Sequence, residues 1–161
     1  MAKHLSFTVR SATSHDEAAV LALVPRLRAF GPVTFRSSAA LDAGEQRTLQ
    51  RFFERAGPDA FLWVAEEAGD IIGMAFAERA TDYFTQEAHG HLGIIAVAEH
   101  AEGRGVGRAL LETVEQWSRD AGFRFLSLNV FADNARAIAV YEKAGYEADF
   151  VRYVKQLHNL G

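Results

Sequence analysis

The sequence of 161 residues contains no cysteine, and this absence excludes several kinds of chemistry. Without thiols the chain can form no disulfide, no thiolate metal site and no cysteinyl acyl-enzyme, so any acyl transfer has to be direct or use another nucleophile. The sequence also lacks a run of about 18 apolar residues, and residues 1–10 lack the apolar core of a signal peptide. We therefore expect no membrane partner and a cytoplasmic location.

A surplus of positive charge is missing as well. The formal net charge is −4 and no basic run is visible, which argues against nucleic acid as a partner. Of the six histidines only His89 and His91 are close in sequence, and none forms the i, i+4 pair of a helical metal site, so no metal is expected. With 49% hydrophobic and 24% charged residues, the chain is predicted to form one soluble domain over residues 1–161.

What the sequence does contain is a strand, a glycine-rich turn and a helix start within residues 91–108, HLGIIAVAEHAEGRGVGR. Its first seven residues form a short apolar run with β-branched side chains, which predicts a buried strand. Glycines let the backbone approach a bound group, and the first N–H groups of a helix have no intrahelical acceptor. The unit therefore suits a phosphate or diphosphate, and Arg104 and Arg108 could add charge-assisted hydrogen bonds.

The spacing of the glycines separates three classes of phosphate site. A nucleoside-triphosphate loop needs Lys followed by Ser or Thr after its last glycine, whereas Arg108 and Ala109 follow Gly107. A dinucleotide fingerprint beginning at Gly103 needs a third Gly or an Ala where Arg108 stands. Both classes therefore fit poorly.

The third class fits. The segment IAVAEHAEGRGVGRALL resembles the acetyl-coenzyme A signature of the GNAT superfamily of N-acetyltransferases, whose core is (Gln or Arg)-x-x-Gly-x-(Gly or Ala). Glu102 departs from this pattern, because it stands at the Gln/Arg position. A second segment, LSLNVFADNARAIAVYEKAGYE, is similar to another signature of the same superfamily at the expected distance, with matching residues Asn134, Ala137, Tyr141, Gly145 and Tyr146.

The resemblance implies where acetyl-coenzyme A binds and which group acts as the acid. Asn134, Ala137 and Tyr141 share one helix face over about 10 Å, which suits a helix lying along the pantetheine arm. By resemblance, Tyr141 is the general acid that protonates the departing thiolate. Main-chain groups of the central strand would pair with the pantetheine like an added strand. The implied cofactor-binding residues are Ile95, Ala96, Val97, Gly103, Arg104, Gly105, Val106, Gly107, Arg108, Asn134 and Ala137.

The general base is less well indicated. Members of the superfamily with a glutamate base carry it at the position of Gly93, and the ribosomal-protein acetyltransferases carry one at the position of Asn129, so both carboxylates are missing here. His91, placed by period two on the same strand face as Gly93 and Val97, is the first candidate. Glu78 on the preceding strand is the second, and either could act through water.

The remaining elements complete a fold. Strands are predicted at 5–10, 60–67, 71–79, 123–131 and over the tail 146–157, and helices at 15–30, with a break at Pro25, at 45–56, 108–117 and 135–144. With the central strand, the order is β-α-α-β-β-β-α-β-α-β, an α/β mixed sheet with helices on both faces. This is also the order of the GNAT fold. By resemblance, the first helical region helps form the acceptor pocket, where Arg26, Arg28, Phe35, Arg36, Tyr83 and Phe84 are candidates.

The sequence thus predicts an acetyl-coenzyme A-dependent N-acetyltransferase that moves an acetyl group directly to a primary amine in a ternary complex. The acceptor stays open between a small amine metabolite, an amino acid, an aminoglycoside-like compound and a peptide amine. The alternative is a non-catalytic acyl-coenzyme A sensor or regulatory protein on the same fold. A nucleotide-dependent oxidoreductase is disfavoured by the glycine spacing. A homodimer is compatible with the sequence, but no feature establishes one.

Overall fold

A computed structural model describes residues 6–33 and 35–158. Three short 3₁₀ turns, at Ser14–Asp16, Val24–Arg28 and Glu99–Ala101, connect its regular elements. The regular elements are β1 (Thr8–Ser11), α1 (Glu17–Ala22), α2 (Ser38–Glu54), β2 (Ala60–Glu67), β3 (Asp70–Thr81), β4 (Ala88–Val97), α3 (Val106–Asp120), β5 (Leu126–Leu128) and α4 (Ala135–Lys143).

The strands form one mixed sheet in the order β1-β2-β3-β4-β5. The first four strands pair antiparallel with their neighbours, and β5 joins β4 in parallel. Ala68 and Gly69, both with positive φ, make the turn between β2 and β3. The strands predicted at 60–67 and 71–79 and the predicted mixed α/β class are therefore confirmed.

Helices cover both faces of the sheet. Gly73 and Phe76 lie three positions apart on β3 and so point to opposite faces. A Cβ atom at Gly73 would lie 2.8 Å from Val106 Cγ1 and 3.0 Å from Leu110 Cδ1, which shows how closely α3 approaches that face. On the other face, the Phe76 ring meets Phe52 of α2 edge-on, with 6.0 Å between centroids. The core lies in these two layers.

A bulge at Gly93 changes which way β4 presents its side chains. Ala77 pairs with Leu92 and Phe76 with Ile94, so Gly93 has no partner on β3. An extra residue of this kind reverses the alternation of side chains beyond it. The prediction that His91 and Val97 share a strand face is therefore wrong, because it assumed an unbroken period of two.

The boundaries of two helices differ from the predicted ones. The first helix divides at Pro25 as predicted, into α1 and the 3₁₀ turn Val24–Arg28. The second begins at Ser38 rather than at Glu45, because the Ser37 hydroxyl accepts a hydrogen bond from the Ala40 amide, at 3.1 Å, and caps an earlier start.

The strands at the two ends of the chain are shorter than predicted. Pairing of β1 starts at Thr8, and Leu5 lies outside the described residues. In β5 only residues 126–128 pair, although the alternating pattern extends over 123–131. The strand predicted over residues 146–157 is not formed in the described part of the chain. The tail side chains Phe150, Tyr153 and Leu157 are 74%, 92% and 76% exposed, so an apolar pattern alone did not produce a strand there.

Candidate active site

The parallel strands β4 and β5 separate after three paired positions, and a cleft opens between them. Pairing ends at Leu92 and Leu128. Beyond this point the C-terminal half of β4, the start of α3, α4 and the turn Val24–Arg28 enclose a cavity of about 1120 Å³. The sequence-predicted site residues that line it are Ile95, Ala96, Val97, Gly107, Arg108, Asn134, Ala137 and Tyr141.

The glycine-rich turn before α3 lies beside one end of the cavity, which Glu102 and Gly107 line, whereas Gly103 and Gly105 are not among the lining residues. Gly103 and Gly105 have φ values of 73° and 86°, and Gly105 directly precedes the helix. These left-handed conformations favour glycine, because a Cβ atom would strain the backbone. The first amides of α3 have no acceptor within the helix, and together with the helix dipole they form a site for an anion.

The other predicted residues around this turn differ in where their side chains lie. The Val106 side chain is 1% exposed and packs in the core. The Arg104 guanidinium donates to Glu67 Oε2, at 3.1 Å, and to Ser6 Oγ, at 2.7 Å, on the side of the β2–β3 turn. Arg108 extends into solvent and pairs with Glu112 one turn further along, at 2.9 Å. Of the two arginines, Arg108 alone borders the cavity.

The opposite wall of the cleft is one face of α4. Asn134 caps this helix, its Oδ1 accepting from the Ala137 amide at 3.2 Å, while its NH₂ group is left for other partners. Gly145 ends the helix with a φ of 95°. The helix predicted at 135–144 is therefore formed, and Asn134, Ala137 and Tyr141 all border the cavity.

Tyr141 lies beside a second tyrosine. The rings of Tyr141 and Tyr146 meet edge-on, 5.8 Å apart, and the Tyr146 hydroxyl donates to Glu115 Oε1 at 2.9 Å. Burial raises the pKa of Tyr141 above the usual value of a tyrosine. Its hydroxyl is therefore fully protonated at neutral pH, the form that a proton donor requires.

The structure separates His91 from Tyr141. His91 lies on the far side of the Gly93 bulge and does not border the cavity. Its Nδ1 is 2.8 Å from Ser127 Oγ on β5, and the same hydroxyl lies 3.1 Å from His89 Nε2. Burial, and to a smaller extent nearby His89, lower the pKa of His91, whereas Glu78 opposite it on β3 opposes this shift. The imidazole of His91 is therefore neutral at pH 7.

Three charged residues form a bridge across the mouth of the cleft that the sequence did not reveal. Arg26 Nε donates to the main-chain oxygen of Val97, at 3.1 Å, and its Nη2 pairs with Glu102. Arg136, in the first turn of α4, contacts the other oxygen of Glu102 at 3.4 Å. The departure of Glu102 from the superfamily pattern was visible in the sequence, but its partners, which lie far away in the chain, were not.

Most of the candidate acceptor residues have other contacts. Arg28 pairs with Asp42, with its Nε 2.8 Å from the carboxylate, and the Arg36 guanidinium lies over the Phe35 ring. The remaining two, Tyr83 and Phe84, pack on each other and are 83% and 80% exposed. Of this group, only Arg26 borders the cavity.

Membrane-spanning helices and clusters of metal-binding side chains are both absent from the described residues. Among them, no helix is both long and apolar enough to cross a membrane. Within the same ranges, no three His, Asp or Glu side chains are grouped so that they could hold a metal ion.

Comparison with known protein families decides the classification. The profile described as the Acetyltransferase (GNAT) family matches residues 31–146, which is well over half of the chain. The chain belongs to the GNAT family. The resemblance seen in the two motifs is thereby confirmed, and the matched range contains both of them and all the residues that line the cavity apart from Arg26, Leu27, Ala29 and Phe30.

Relatives of this GNAT protein carry acetyltransferase names. The uncharacterized N-acetyltransferase YhfO of Bacillus subtilis (strain 168) is 27% identical over 147 residues, covering 90% of this chain and 94% of YhfO. A mycothiol acetyltransferase of Streptomyces bingchenggensis (strain BCW-1) is 32% identical over 139 residues, covering 84% of this chain and 42% of the relative. The matches to mycothiol acetyltransferases cover between 29% and 42% of those proteins' length.

Solved structures share the fold of this GNAT chain. A putative acetyl transferase from Pyrococcus furiosus has a TM-score of 0.77 at 21% identity, with 94% of this chain and 99% of that chain covered. The aminoglycoside N-acetyltransferase AAC(6')-Iy in complex with CoA has a TM-score of 0.69 at 20% identity, with 94% and 95% covered. Family membership identifies the protein as an acyltransferase, and the likeness to these structures shows the GNAT fold.

Proposed function

We propose that this GNAT protein transfers an acetyl group from acetyl-coenzyme A directly to a primary amine, with both substrates bound at once. The observation that carries the proposal is the cleft itself. It opens where β4 and β5 separate, begins at the free amides of α3 and contains the Tyr141 ring. A phosphate-bearing thioester lying along this cleft would bring its reactive end toward Tyr141.

Acetyl-coenzyme A would contact both walls of the cleft, β4 on one side and α4 on the other. Its diphosphate would bind the amides of the turn and of the first turn of α3, with Arg108 at the rim. Its pantetheine arm would lie between β4 and α4, where main-chain groups of β4 serve as they would for an added strand. The proposed residues are Ile95, Ala96, Val97, Gly103, Arg104, Gly105, Val106, Gly107, Arg108, Asn134 and Ala137, with Arg104 and Val106 acting through their backbone.

The reaction requires a tetrahedral intermediate and a protonated leaving group. The amine nitrogen attacks the thioester carbon. The amide of Ile95 or Ala96, both of which line the cavity, would stabilise the developing oxyanion. The carbon–sulfur bond then breaks, and Tyr141 donates its proton to the sulfur. Because the pKa of Tyr141 is raised by burial, the tyrosinate that remains regains a proton readily.

We assign removal of the amine proton to His91, directly or through water, with Glu78 as the second candidate. Two observations support His91: its neutral state at pH 7 and the orientation that Ser127 Oγ gives its ring. The acceptor would then approach from the sheet face opposite α3, while the thioester lies in the cleft.

Replacement of His91 tests this assignment. We expect His91→Gln to lower kcat/KM about 30-fold, with loss of the ascending limb of the pH profile, since general bases contribute roughly 10²–10⁴-fold and water retains part of this. His15→Gln, at an exposed histidine, is the control. Wild-type activity in His91→Gln together with a large loss in Glu78→Gln would move the base to Glu78.

The proposed function itself is tested by thiol release from acetyl-coenzyme A over a panel of polyamines, amino acids, aminoglycosides and peptide amines. We expect release with one class of amine and none without an acceptor. Binding of acetyl-coenzyme A by calorimetry without thiol release from any of these amines would favour the sensor instead. Absence of binding as well would show that the cleft has been misinterpreted.

A further inference from the structure

The mouth of the cleft carries a bridge of opposite charges. Glu102 lies between Arg26, which comes from the turn after α1, and Arg136, which comes from the first turn of α4. All three residues border the cavity. One carboxylate therefore connects two walls of the cleft directly beside the glycine-rich turn.

We propose that Arg26 and Arg136 bind the diphosphate of acyl-coenzyme A, and that Glu102 competes with the ligand for both guanidinium groups. This inference rests on the cosubstrate site proposed above. Guanidinium groups bind phosphate oxygens with short, charge-assisted hydrogen bonds, so a diphosphate can replace a carboxylate as their partner. Glu102 then sets the affinity of the cosubstrate site.

The position of Glu102 gives its charge a large influence on the binding of an anion at the glycine-rich turn. The three side chains together carry one positive charge, and they would carry two if residue 102 were neutral. Glu102 is also adjacent to Gly103, where the proposed anion site begins, so its carboxylate repels an incoming phosphate. A Gln at this position, as in the superfamily pattern, would remove both the competition and the repulsion.

The contact between Arg26 and the main chain of β4 couples binding of the diphosphate to binding of the pantetheine arm. Arg26 Nε donates a hydrogen bond to the main-chain oxygen of Val97. This oxygen is one of the groups that we propose to bind the pantetheine arm. If the guanidinium turns toward the diphosphate, this oxygen becomes free to accept from a pantetheine amide. The phosphates and the pantetheine arm therefore bind in a linked manner.

Calorimetry on Glu102→Gln tests the proposal with three probes: coenzyme A, dephospho-coenzyme A, which keeps the diphosphate, and pantetheine, which lacks it. We expect binding of the first two to become roughly three- to tenfold tighter, the range for release of two partly exposed ion pairs. Pantetheine binding should stay within about twofold, because no phosphate competes with Glu102 for the arginines. Arg136→Gln should weaken binding of the two diphosphate probes.

Glu87→Gln is the matched control. It makes the same chemical change at a similarly exposed carboxylate, 32% against 36% for Glu102, and breaks one pair with Arg124 outside the cleft lining. Unchanged or weaker coenzyme A binding in Glu102→Gln would overturn the inference, as would an equal gain for pantetheine. If the unaltered protein binds coenzyme A and releases thiol but Glu102→Gln gives either result, the proposed function stands and only this inference is wrong. If the unaltered protein does not bind coenzyme A, both are wrong.

Discussion

Tyr141→Phe is expected to lower kcat about a hundredfold, with little change in the KM for acetyl-coenzyme A. The phenylalanine keeps the ring and its edge-on contact with Tyr146 but removes the proton that Tyr141 is proposed to give to the leaving sulfur. Some activity should remain, because a thiol with a pKa of roughly 8.5 is already a fair leaving group. Steady-state thiol release at saturating amine measures the effect.

The neighbouring tyrosine supplies the control for this substitution. Tyr146→Phe also removes one hydroxyl from the pair of rings, but that hydroxyl donates to Glu115 and is not assigned to the reaction. It should cost about 1 kcal/mol of stability, the usual net value of a hydrogen bond, and leave kcat within about threefold. A Tyr141→Phe protein with the turnover of the unaltered enzyme would remove Tyr141 from the mechanism.

Gly73→Ala is expected to lower the free energy of unfolding by about 1–3 kcal/mol, the usual cost of overpacking a core. The new Cβ atom would lie within 3.0 Å of Val106 and Leu110 and 3.3 Å from the main-chain oxygen of Ala96. Relief requires α3 to move away from β3, and Val106 is the first residue of α3. Urea denaturation measures the loss, and weaker binding of coenzyme A should accompany it.

Gly57→Ala is the matched control, because no atom lies within 4 Å of the Cβ position there. It should change stability by no more than about 0.5 kcal/mol, as surface substitutions usually do. Equal effects at the two glycines would show that contact with α3 is not what requires glycine at position 73.

Local patterns in the sequence predicted most of the elements around the cleft. The apolar run of β4, the glycine-rich turn and the α4 cap at Asn134 each depend on neighbouring residues, and the structure has all of them. α3 packs on one face of the sheet through an apolar stripe. The stripe consists of Val106, Leu110 and Val114, which are all buried. Properties set by chain neighbours were therefore accessible from the sequence.

What the sequence did not predict depends on contacts between distant residues. The position of the bulge at Gly93 follows from the register of β4 against β3, and a single strand pattern does not contain a register. The bridge from Arg26 through Glu102 to Arg136 joins residues from three separate elements. The tail over residues 146–157 has the composition of a strand, but forming one requires a partner edge, and β5 offers three paired residues.

The Gly93 bulge has a consequence for how this enzyme can diversify. Because it reverses the alternation along β4, side chains before and after it belong to different compartments of the molecule. His91 faces the layer of α1 and α2, whereas Val97 faces the layer of α3. In the proposed reaction, side chains before the bulge would face the amine and those after it would face the thioester. Substitutions on either side of the bulge would then change one specificity at a time.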